Sequence, residues 1–219
     1  MSKTILITRP CYDDPTSYLF CYAGLIIKEA EEKMFSILDL KKPRLTRENF
    51  TKMIEKNNPV MIFFNAHGTE TAIYGDKIVE EEEILVEENV NHELLNSRLV
   101  YARACWSAVS LGNKACLNNG CFIGYSLPFS FWIDERWSAK PLNDNTAKLF
   151  LEPSNLIISS LLKGNTAEES VIKSNEMSKK NILKLLKEKE EPGAVASMSL
   201  LWSNMQCLQI SGNKGMKAE

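Results

Sequence analysis

The sequence predicts an α/β protein built on a mostly parallel sheet with helices on both faces. Short apolar runs rich in β-branched residues alternate with longer segments in which apolar residues recur every three or four positions. Such alternation is typical of βαβ units, whose crossover helices cover both faces of the sheet. A chain of 219 residues is also long enough to bury one sizeable core.

Five apolar runs are predicted to form the strands of this sheet. They are Thr4–Thr8, Met34–Leu38, Val60–Phe64, Arg98–Ala102 and Cys121–Tyr125. After the third run, Tyr74–Lys77 separates two short apolar stretches, which predicts a small β-hairpin. The acidic run Glu80–Glu83 that follows is expected to be a solvated loop or the first turn of a helix.

Helical patterns lie between and after these strands. They cover Pro15–Lys33, Thr46–Lys56, Trp106–Leu117, Asp144–Leu162 and Thr166–Lys189. Residues 194–210 are ambiguous, and we expect a late strand over Met205–Ile210. We treat residues 1–210 as a single domain and 211–219 as a polar, frayed C-terminal tail.

One long segment after the fifth strand has no regular pattern. Ser126–Asn143 is rich in proline, serine and aromatic residues, and loops of this length are often functional. Phe129, Phe131, Trp132 and Trp137 either cover the edge of the sheet or wall a substrate cleft. The sequence leaves both interpretations open.

Composition excludes several classes of protein. The formal net charge is −2 and the pI is about 5.9, so no direct nucleic-acid binding is expected. The longest apolar runs are too short to span a bilayer and the N-terminus lacks a signal-peptide pattern, so we expect a cytoplasmic protein without a membrane partner. The six cysteines form no CxxC pair and there are two histidines, so no metal or cofactor is predicted.

Candidate catalytic residues follow two of the predicted strands. The third strand runs directly into Ala66-His67-Gly68, and the fourth runs directly into Arg103-Ala104-Cys105. In an open parallel sheet, ligands bind at the carboxyl ends of the strands. If the two strands are neighbours, His67 and Cys105 supply the base and the nucleophile of covalent catalysis. The alternative for Cys105 is a small buried apolar residue at the start of a helix.

The residues beside this pair suggest an oxyanion site. Gly68 lets the backbone approach a substrate carbonyl closely, so that its N–H can stabilise an oxyanion. Cys105 is predicted at a strand-to-helix turn, where backbone N–H groups stabilise a thiolate and can donate to the same oxyanion. This geometry is expected to lower the pKa of the Cys105 thiol without a third catalytic residue.

Four stretches of the chain resemble a known superfamily. They are Phe64-Asn-Ala-His-Gly, Tyr101-Ala-Arg-Ala-Cys, Gly120-Cys-Phe-Ile-Gly-Tyr and Leu161-Leu-Lys-Gly-Asn-Thr-Ala-Glu-Glu-Ser. In order and placement they look like the caspase-like (clan CD) cysteine peptidases, and most of all like the bacterial gingipain-like and CHAT branches. The resemblance implies a three-layer fold with about six strands and a Cys–His dyad. It also implies an endopeptidase that forms an acyl-enzyme on protein or peptide substrates without a cofactor. A role in bacterial defence or cell death, with a regulatory protein partner, would follow from the same likeness.

The chain departs from those relatives around the proposed nucleophile. In several relatives the residue two positions before the nucleophile lines the pocket for the substrate residue that precedes the scissile bond (P1). Here that residue is Arg103, which would favour an acidic or polar P1 residue. Asp13 and Asp14 argue for the opposite preference, or could pair with Arg103. Trp106 follows the nucleophile where relatives often carry a small residue. The predicted substrate-binding residues are therefore Arg103, Asp13, Asp14, Trp106 and Trp132.

Two other functions remain as alternatives. The same fold could serve as a binding or regulatory module with weak or no hydrolysis, which Trp106 beside the thiol suggests. A flavodoxin-like binder of nucleotides or small molecules is disfavoured, because the sequence has neither a GxGxxG motif nor a Walker loop.

Overall fold

A computed structural model describes residues 3–78 and 80–218 of the chain. Its strands are β1 (Thr4–Arg9), β2 (Ser36–Lys41), β3 (Met61–Asn65), β4 (Ala72–Ile78), β5 (Glu81–Glu87), β6 (Leu99–Arg103), β7 (Cys121–Tyr125) and β8 (Leu208–Gly212). Its α-helices are α1 (Asp14–Glu32), α2 (Arg47–Asn57), α3 (Leu111–Ala115), α4 (Asn145–Leu162), α5 (Ala167–Lys187) and α6 (Ala194–Cys207).

Six of these strands form one twisted sheet in the order β2-β1-β3-β6-β7-β8. The first five strands in this order are mutually parallel, and β8 pairs antiparallel with β7. The connections β1–α1–β2 and β2–α2–β3 are βαβ units, as the alternation in the sequence predicted. The prediction of a mostly parallel, six-stranded α/β fold is confirmed.

Helices cover the two faces of the sheet because successive strand residues point to opposite sides. On one face, Ile7, Phe63 and Tyr101 pack with apolar residues of α1 and α4. On the other face, Phe64 and Val100 pack with residues of α2, α3 and the β4–β5 hairpin. The result is a three-layer protein in which the central strands are buried on both sides.

The strand and helix boundaries differ from prediction mainly where turn residues interrupt a pattern. β2 starts at Ser36 rather than Met34, because Met34 has a positive φ of 64° in the turn after α1. The predicted helix over Trp106–Leu117 shortens to α3, because residues 104–110 form bends and turns.

The predicted hairpin is present but longer than expected. Tyr74–Lys77, predicted as its turn, lies within β4, and the acidic run after residue 80 belongs to β5 rather than to a loop or a helix. The two strands pair antiparallel with register shifts near Tyr74. Val79, which was predicted to extend an apolar run, falls outside the described residues.

The C-terminal segment is ordered against the body of the protein. The predicted late strand begins at Leu208 and extends to Gly212, past the predicted domain boundary. Beyond it, the Met216 carbonyl accepts the Ala167 N–H at 2.9 Å, and Ala218 is buried. This packing contradicts the expected frayed tail as far as residue 218.

No helix within residues 3–78 and 80–218 combines the length and the apolar character needed to cross a bilayer.

Candidate active site

The loops after β3 and β6 meet at the carboxyl edge of the sheet. These strands are direct neighbours, with Asn65 in register with Arg103, and the Ala66 N–H donates to the Arg103 carbonyl at 3.3 Å. His67 and Cys105 therefore leave the sheet side by side. Both line one cavity of about 240 Å³.

Gly68 is required for this close approach of the two loops. A Cβ atom at this position would lie 2.9 Å from the Cys105 carbonyl oxygen and 3.0 Å from the Ala104 Cβ. Carbon atoms essentially never come so close to backbone oxygen without displacement of one of them. Any larger residue at position 68 would therefore separate the histidine loop from the cysteine loop.

The β4–β5 hairpin fixes the backbone of the histidine loop. Gly68 pairs with Ile73 in an antiparallel bridge. The His67 carbonyl accepts the Tyr74 N–H at 3.1 Å, and the Thr69 N–H donates to the Ala72 carbonyl at 2.9 Å. The hairpin thus holds His67 at the edge of the cavity.

The His67 side chain is held by a carboxylate. Its Nε2 lies 2.7 Å from Oδ2 of Asp13, the N-cap residue of α1. The other carboxylate oxygen, Oδ1, accepts the Thr16 N–H at 2.8 Å and the Thr16 hydroxyl at 2.6 Å. With Nε2 used in this way, Nδ1 is the ring nitrogen that remains for chemistry in the cavity.

These contacts keep Asp13 ionised. Burial alone would raise the pKa of Asp13, but the hydrogen bonds from Thr16 and His67 outweigh it and hold the pKa below its ordinary value. From the sequence, Asp13 is predicted to bind substrate, and no third catalytic residue is predicted beside His67 and Cys105. The structure places it on His67 instead, outside the cavity lining.

A tyrosine beside His67 ties the same region to the hairpin. The Tyr12 ring centroid lies 5.9 Å from that of His67, and the Tyr12 hydroxyl donates to the Glu82 carboxylate on β5. Burial, together with this hydrogen bond, raises the pKa of Tyr12 well above its usual value. Tyr12 is therefore a neutral hydrogen-bond donor that attaches the loop between β1 and α1 to β5, rather than a proton-transfer group.

Cys105 lies in a turn, not at the N-terminus of a helix. α3 begins six positions later, at Leu111, and has only five residues. Burial raises the pKa of the Cys105 thiol, and backbone hydrogen bonds offset this only in part. The expectation of a lowered pKa from a helix N-terminus is therefore wrong, because no helix starts there. In the resting protein Cys105 is a thiol, and its Sγ lies 3.9 Å from the Phe129 carbonyl oxygen.

The backbone N–H groups of Gly68 and Cys105 are candidate donors to a substrate oxygen. Trp106 has a positive φ of 53°, and its N–H donates to the Leu127 carbonyl at 3.3 Å. Within residues 3–78 and 80–218, no backbone carbonyl accepts the N–H of Gly68 or Cys105. These two N–H groups are the pair that the sequence assigned to an oxyanion site.

Arg103 also lines the cavity, although its side chain is 0% exposed. Its guanidinium donates to Asn65 Oδ1 at 3.0 Å through Nε and again through Nη2. Nη1 donates to Ser154 Oγ and Asn155 Oδ1, both at 2.9 Å, and Nη2 lies 3.5 Å from the Leu19 carbonyl. Among the described residues, none of these acceptors is a carboxylate.

Arg103 nevertheless remains a cation. Burial lowers the pKa of its guanidinium to about 10, which is still well above neutral pH. The suggested pairing of Arg103 with Asp13 or Asp14 does not occur. Asp13 contacts His67, and Asp14 is an exposed residue in the first turn of α1.

The remaining walls of the cavity are largely apolar. They are formed by Pro15, Leu19, Ala66, Ala104, Phe129, Ser130, Phe131 and Ile133. The aromatic segment thus walls the cavity through Phe129 and Phe131. Trp106 and Trp132, predicted to bind substrate, are 38% and 48% exposed and lie outside this lining.

Two parts of this site were not predicted from the sequence. The side-chain acceptors of the Arg103 guanidinium come from two distant parts of the chain, Asn65 at the end of β3 and the adjacent Ser154 and Asn155 in α4, and nothing in the local sequence marks them. The role of Asp13 had a usable signal. An Asp-x-x-Thr capping box begins at Asp13, shortly after the end of β1 at Arg9, and β1 is adjacent to β3, so the box places a carboxylate beside the histidine loop.

The fold is that of the caspase-like proteins. No family model matches the sequence, and no curated protein matches it. Among solved structures, the Arg-specific cysteine proteinase gingipain R (RgpB) aligns with a TM-score of 0.54 at 9% identity, over 98% of this chain and 47% of that one. The complex of the pro- and mature domains of Porphyromonas gingivalis RgpB aligns with a TM-score of 0.55 at 8% identity, over 98% and 48%. This chain spans about half the length of those chains, and the likeness establishes the fold.

Proposed function

We propose that this protein is a cysteine endopeptidase in which Cys105 is the nucleophile and His67 is the general acid and base. The observation that carries the proposal is that both side chains line one cavity, with His67 held through Nε2 by an ionised carboxylate. The caspase-like fold shared with two cysteine proteinase structures supports the same chemistry. A buried apolar role for Cys105 would not require a polarised histidine at the same cavity.

The first half of the reaction forms an acyl-enzyme. His67 Nδ1 accepts the Cys105 proton, and the sulfur attacks the carbonyl carbon of the scissile peptide bond. Negative charge develops on the carbonyl oxygen, where the Gly68 and Cys105 N–H groups can donate to it. The intermediate collapses as His67 returns the proton to the leaving amine nitrogen, which breaks the C–N bond and leaves a thioester on Cys105.

The second half releases the acid product. A water molecule loses a proton to His67 Nδ1 and adds to the thioester carbonyl, and the C–S bond then breaks. The proton returns to the sulfur, so Cys105 is again a thiol. In both halves the Asp13 carboxylate faces the imidazolium that forms on His67 and stabilises it.

Substrate specificity does not transfer from the structural relatives. The named preference of gingipain R is for arginine, whereas no acidic side chain lines the cavity of this chain among its described residues. A place in a CHAT-like bacterial defence or cell-death system, with a regulatory protein partner and a cytoplasmic location, belongs to the proposal through the sequence resemblance alone.

Labelling with an electrophilic peptide probe, such as a peptidyl acyloxymethyl ketone, tests the dyad. We expect one adduct at Cys105 by mass spectrometry, absent in Cys105→Ala and much slower in His67→Ala. Cys11→Ala is the matched control, because Cys11 is exposed and lies outside the cavity. Unchanged labelling of His67→Ala, or labelling concentrated at Cys11, would contradict the proposal.

A catalytically weak regulatory module is the second candidate. The raised pKa of Cys105 and the bulky Trp106 beside it favour low resting reactivity. Such a module would fail to turn over any peptide in a broad library while still binding a partner. An acyl-enzyme that forms but does not hydrolyse would favour this candidate.

A further inference from the structure

A second cavity lies at the edge of the sheet opposite to His67 and Cys105. Its volume is about 550 Å³, and its lining includes Val60 and Arg98, the residues that directly precede β3 and β6. The length of β6 separates Arg98 from the active-site edge at Arg103, which is roughly 16 Å at about 3.3 Å per residue. A ligand in this cavity therefore does not overlap a substrate at Cys105.

Arg98 lines this cavity with hydrogen-bond donors that the protein does not use. Its Nη1 donates to the carbonyls of Leu94 and Asn96 at 2.9 and 3.0 Å, and its Nη2 donates to Asn58 Oδ1 at 2.8 Å. Within the described part of the chain, nothing accepts the N–H of Nε. No carboxylate of those residues forms an ion pair with this guanidinium, and burial lowers its pKa. The side of the guanidinium formed by Nε and Nη2 thus has no anionic partner among them.

Arg9 shows what this side of an arginine binds elsewhere in the chain. Its Nε donates to Asp39 Oδ1 at 2.7 Å, and its Nη2 donates to Oδ2 of the same carboxylate. The two oxygens of a carboxylate match two parallel N–H groups of a guanidinium. At Arg98, Asn58 offers only one neutral oxygen, and it is an exposed residue at the end of α2. A carboxylate that moves this amide aside can bond Nη2 and Nε together.

Two other residues of the cavity call for a hydrogen-bond donor on the same ligand. Asn96 Oδ1 is buried, and no described residue donates to it. Asn96 as a whole is half-buried, so rotation of its amide brings this oxygen into the cavity. Glu93 is exposed and lines the cavity, and among residues 3–78 and 80–218 no cation pairs with it. An N–H group bonds the amide oxygen, and a positively charged nitrogen is also attracted to Glu93.

An adjoining pocket supplies the apolar part of the site. Its volume is about 420 Å³, and it shares Asn58, Glu93 and Arg98 with the cavity. Ile54 and Leu94 give it apolar walls. A ligand that lies across Arg98 therefore meets a cation, a carboxylate and an apolar surface within one site.

We propose that this second cavity binds an α-carboxylate whose α-nitrogen carries an N–H donor and whose side chain is apolar, as in free leucine or at the C-terminus of a peptide. The carboxylate pairs with Arg98, the α-nitrogen donates to Asn96 Oδ1, and the side chain packs against Ile54 and Leu94. The α-ammonium of a free amino acid gains a further attraction to Glu93, which the amide nitrogen of a peptide does not. The site does not depend on the proposed peptidase chemistry.

Titration of isotope-labelled protein with four ligands, followed by backbone amide NMR, tests this. L-Leucine and L-leucinamide differ in the carboxylate, and so do N-acetyl-L-leucine and N-acetyl-L-leucinamide. We expect the dissociation constant to rise at least about tenfold when the carboxylate becomes an amide, because a charged hydrogen-bonded pair is lost. The shifts should map to Arg98 and Asn96 rather than to Cys105.

Three variants locate the site. Arg98→Gln should remove the preference for the carboxylate, while Arg44→Gln, which removes an exposed arginine outside both pockets, should keep it. Glu93→Gln changes an exposed side chain and should weaken leucine about two- to fivefold without weakening N-acetyl-leucine. If Arg98→Gln does not fold, the four ligands on the wild-type protein and Glu93→Gln still decide. Cys105→Ala should bind all four ligands as the wild type does.

The outcomes are distinct. Equal affinities within both ligand pairs, or no binding of any ligand at about 10 mM, overturn the proposal. Binding that is lost in Cys105→Ala overturns it as well, because the ligands would then lie in the catalytic cavity. If the carboxylate is required, tighter binding of leucine than of N-acetyl-leucine assigns the site to a free amino acid. The reverse order assigns it to the C-terminus of a peptide.

Discussion

Replacement of Asp13 by asparagine removes one charge next to His67 and leaves the fold intact. Asparagine is as good an N-cap residue as aspartate, so the start of α1 and its contact with Thr16 are expected to persist. The amide can still contact His67 Nε2, but it cannot compensate the positive charge that develops on the ring during proton transfer.

The size of the effect follows from the geometry. Opposite unit charges about 4 Å apart attract by about 4 kcal/mol at an effective dielectric constant near 20. The His67 and Asp13 side chains are 36% and 37% exposed, so solvent screening reduces this to about 1–2 kcal/mol. That energy corresponds to a decrease in kcat of about 5- to 30-fold.

Steady-state hydrolysis of one fluorogenic peptide measures this effect, with kcat and KM determined separately. We expect the loss in kcat with little change in KM, because Asp13 lies outside the cavity lining. Asp14→Asn is the matched control, since this neighbouring carboxylate is exposed and should have no effect. A fully active Asp13→Asn protein, or an equal loss in Asp14→Asn, would refute the role assigned to the Asp13–His67 pair.

Three further predictions concern the loops, the thiol and the sheet. Gly68→Ala should reduce kcat about a hundredfold by forcing the histidine and cysteine loops apart, with a loss of stability of only about 1–3 kcal/mol in denaturant unfolding; full activity would show that the loops need not touch. Alkylation of Cys105 by iodoacetamide should accelerate with pH to a midpoint above that of an ordinary cysteine, because burial raises its pKa; a midpoint near neutrality would contradict this. Asp39→Asn should lower the free energy of unfolding at pH 7 by about 1–2 kcal/mol. Burial would raise the pKa of Asp39, but Arg9 lowers it below that of the unfolded chain, so this stability exists above the unfolded pKa and disappears as pH falls through the folded one. A mutant difference that persists at pH 2 would refute the linkage.

Much of the fold was accessible from the sequence because local pattern and tertiary packing agree. The five predicted strands of the parallel sheet occur, and Cys121–Tyr125 has the predicted bounds. The prediction failed where neighbours in space decide the structure. Glu82 is in a strand because β5 pairs with β4 and its carboxylate accepts the Tyr12 hydroxyl, and an acidic run by itself does not indicate this.

The sequence predicts which strand ends carry the residues of the candidate site, but not the contacts that these residues make. The alternating pattern predicts parallel strands whose carboxyl ends share one edge of the sheet, with His67 and Cys105 each following a strand. That these two strands are neighbours was a condition of the prediction, and the structure meets it. The ionisation of the thiol depends on its burial in the folded protein, which raises its pKa, and on the absence of a helix start at Cys105, and both are tertiary facts. The neutral acceptors of the Arg103 guanidinium lie on α1, β3 and α4, so no local sequence motif predicts them.

Turnover of a peptide library by the purified protein, beside Cys105→Ala and Cys11→Ala, tests the central claim most directly. A Cys105–His67 peptidase predicts cleavage by the wild-type and Cys11→Ala proteins and none above background by Cys105→Ala. Cleavage by Cys105→Ala at the wild-type rate would contradict the assignment of the nucleophile and with it the proposed function.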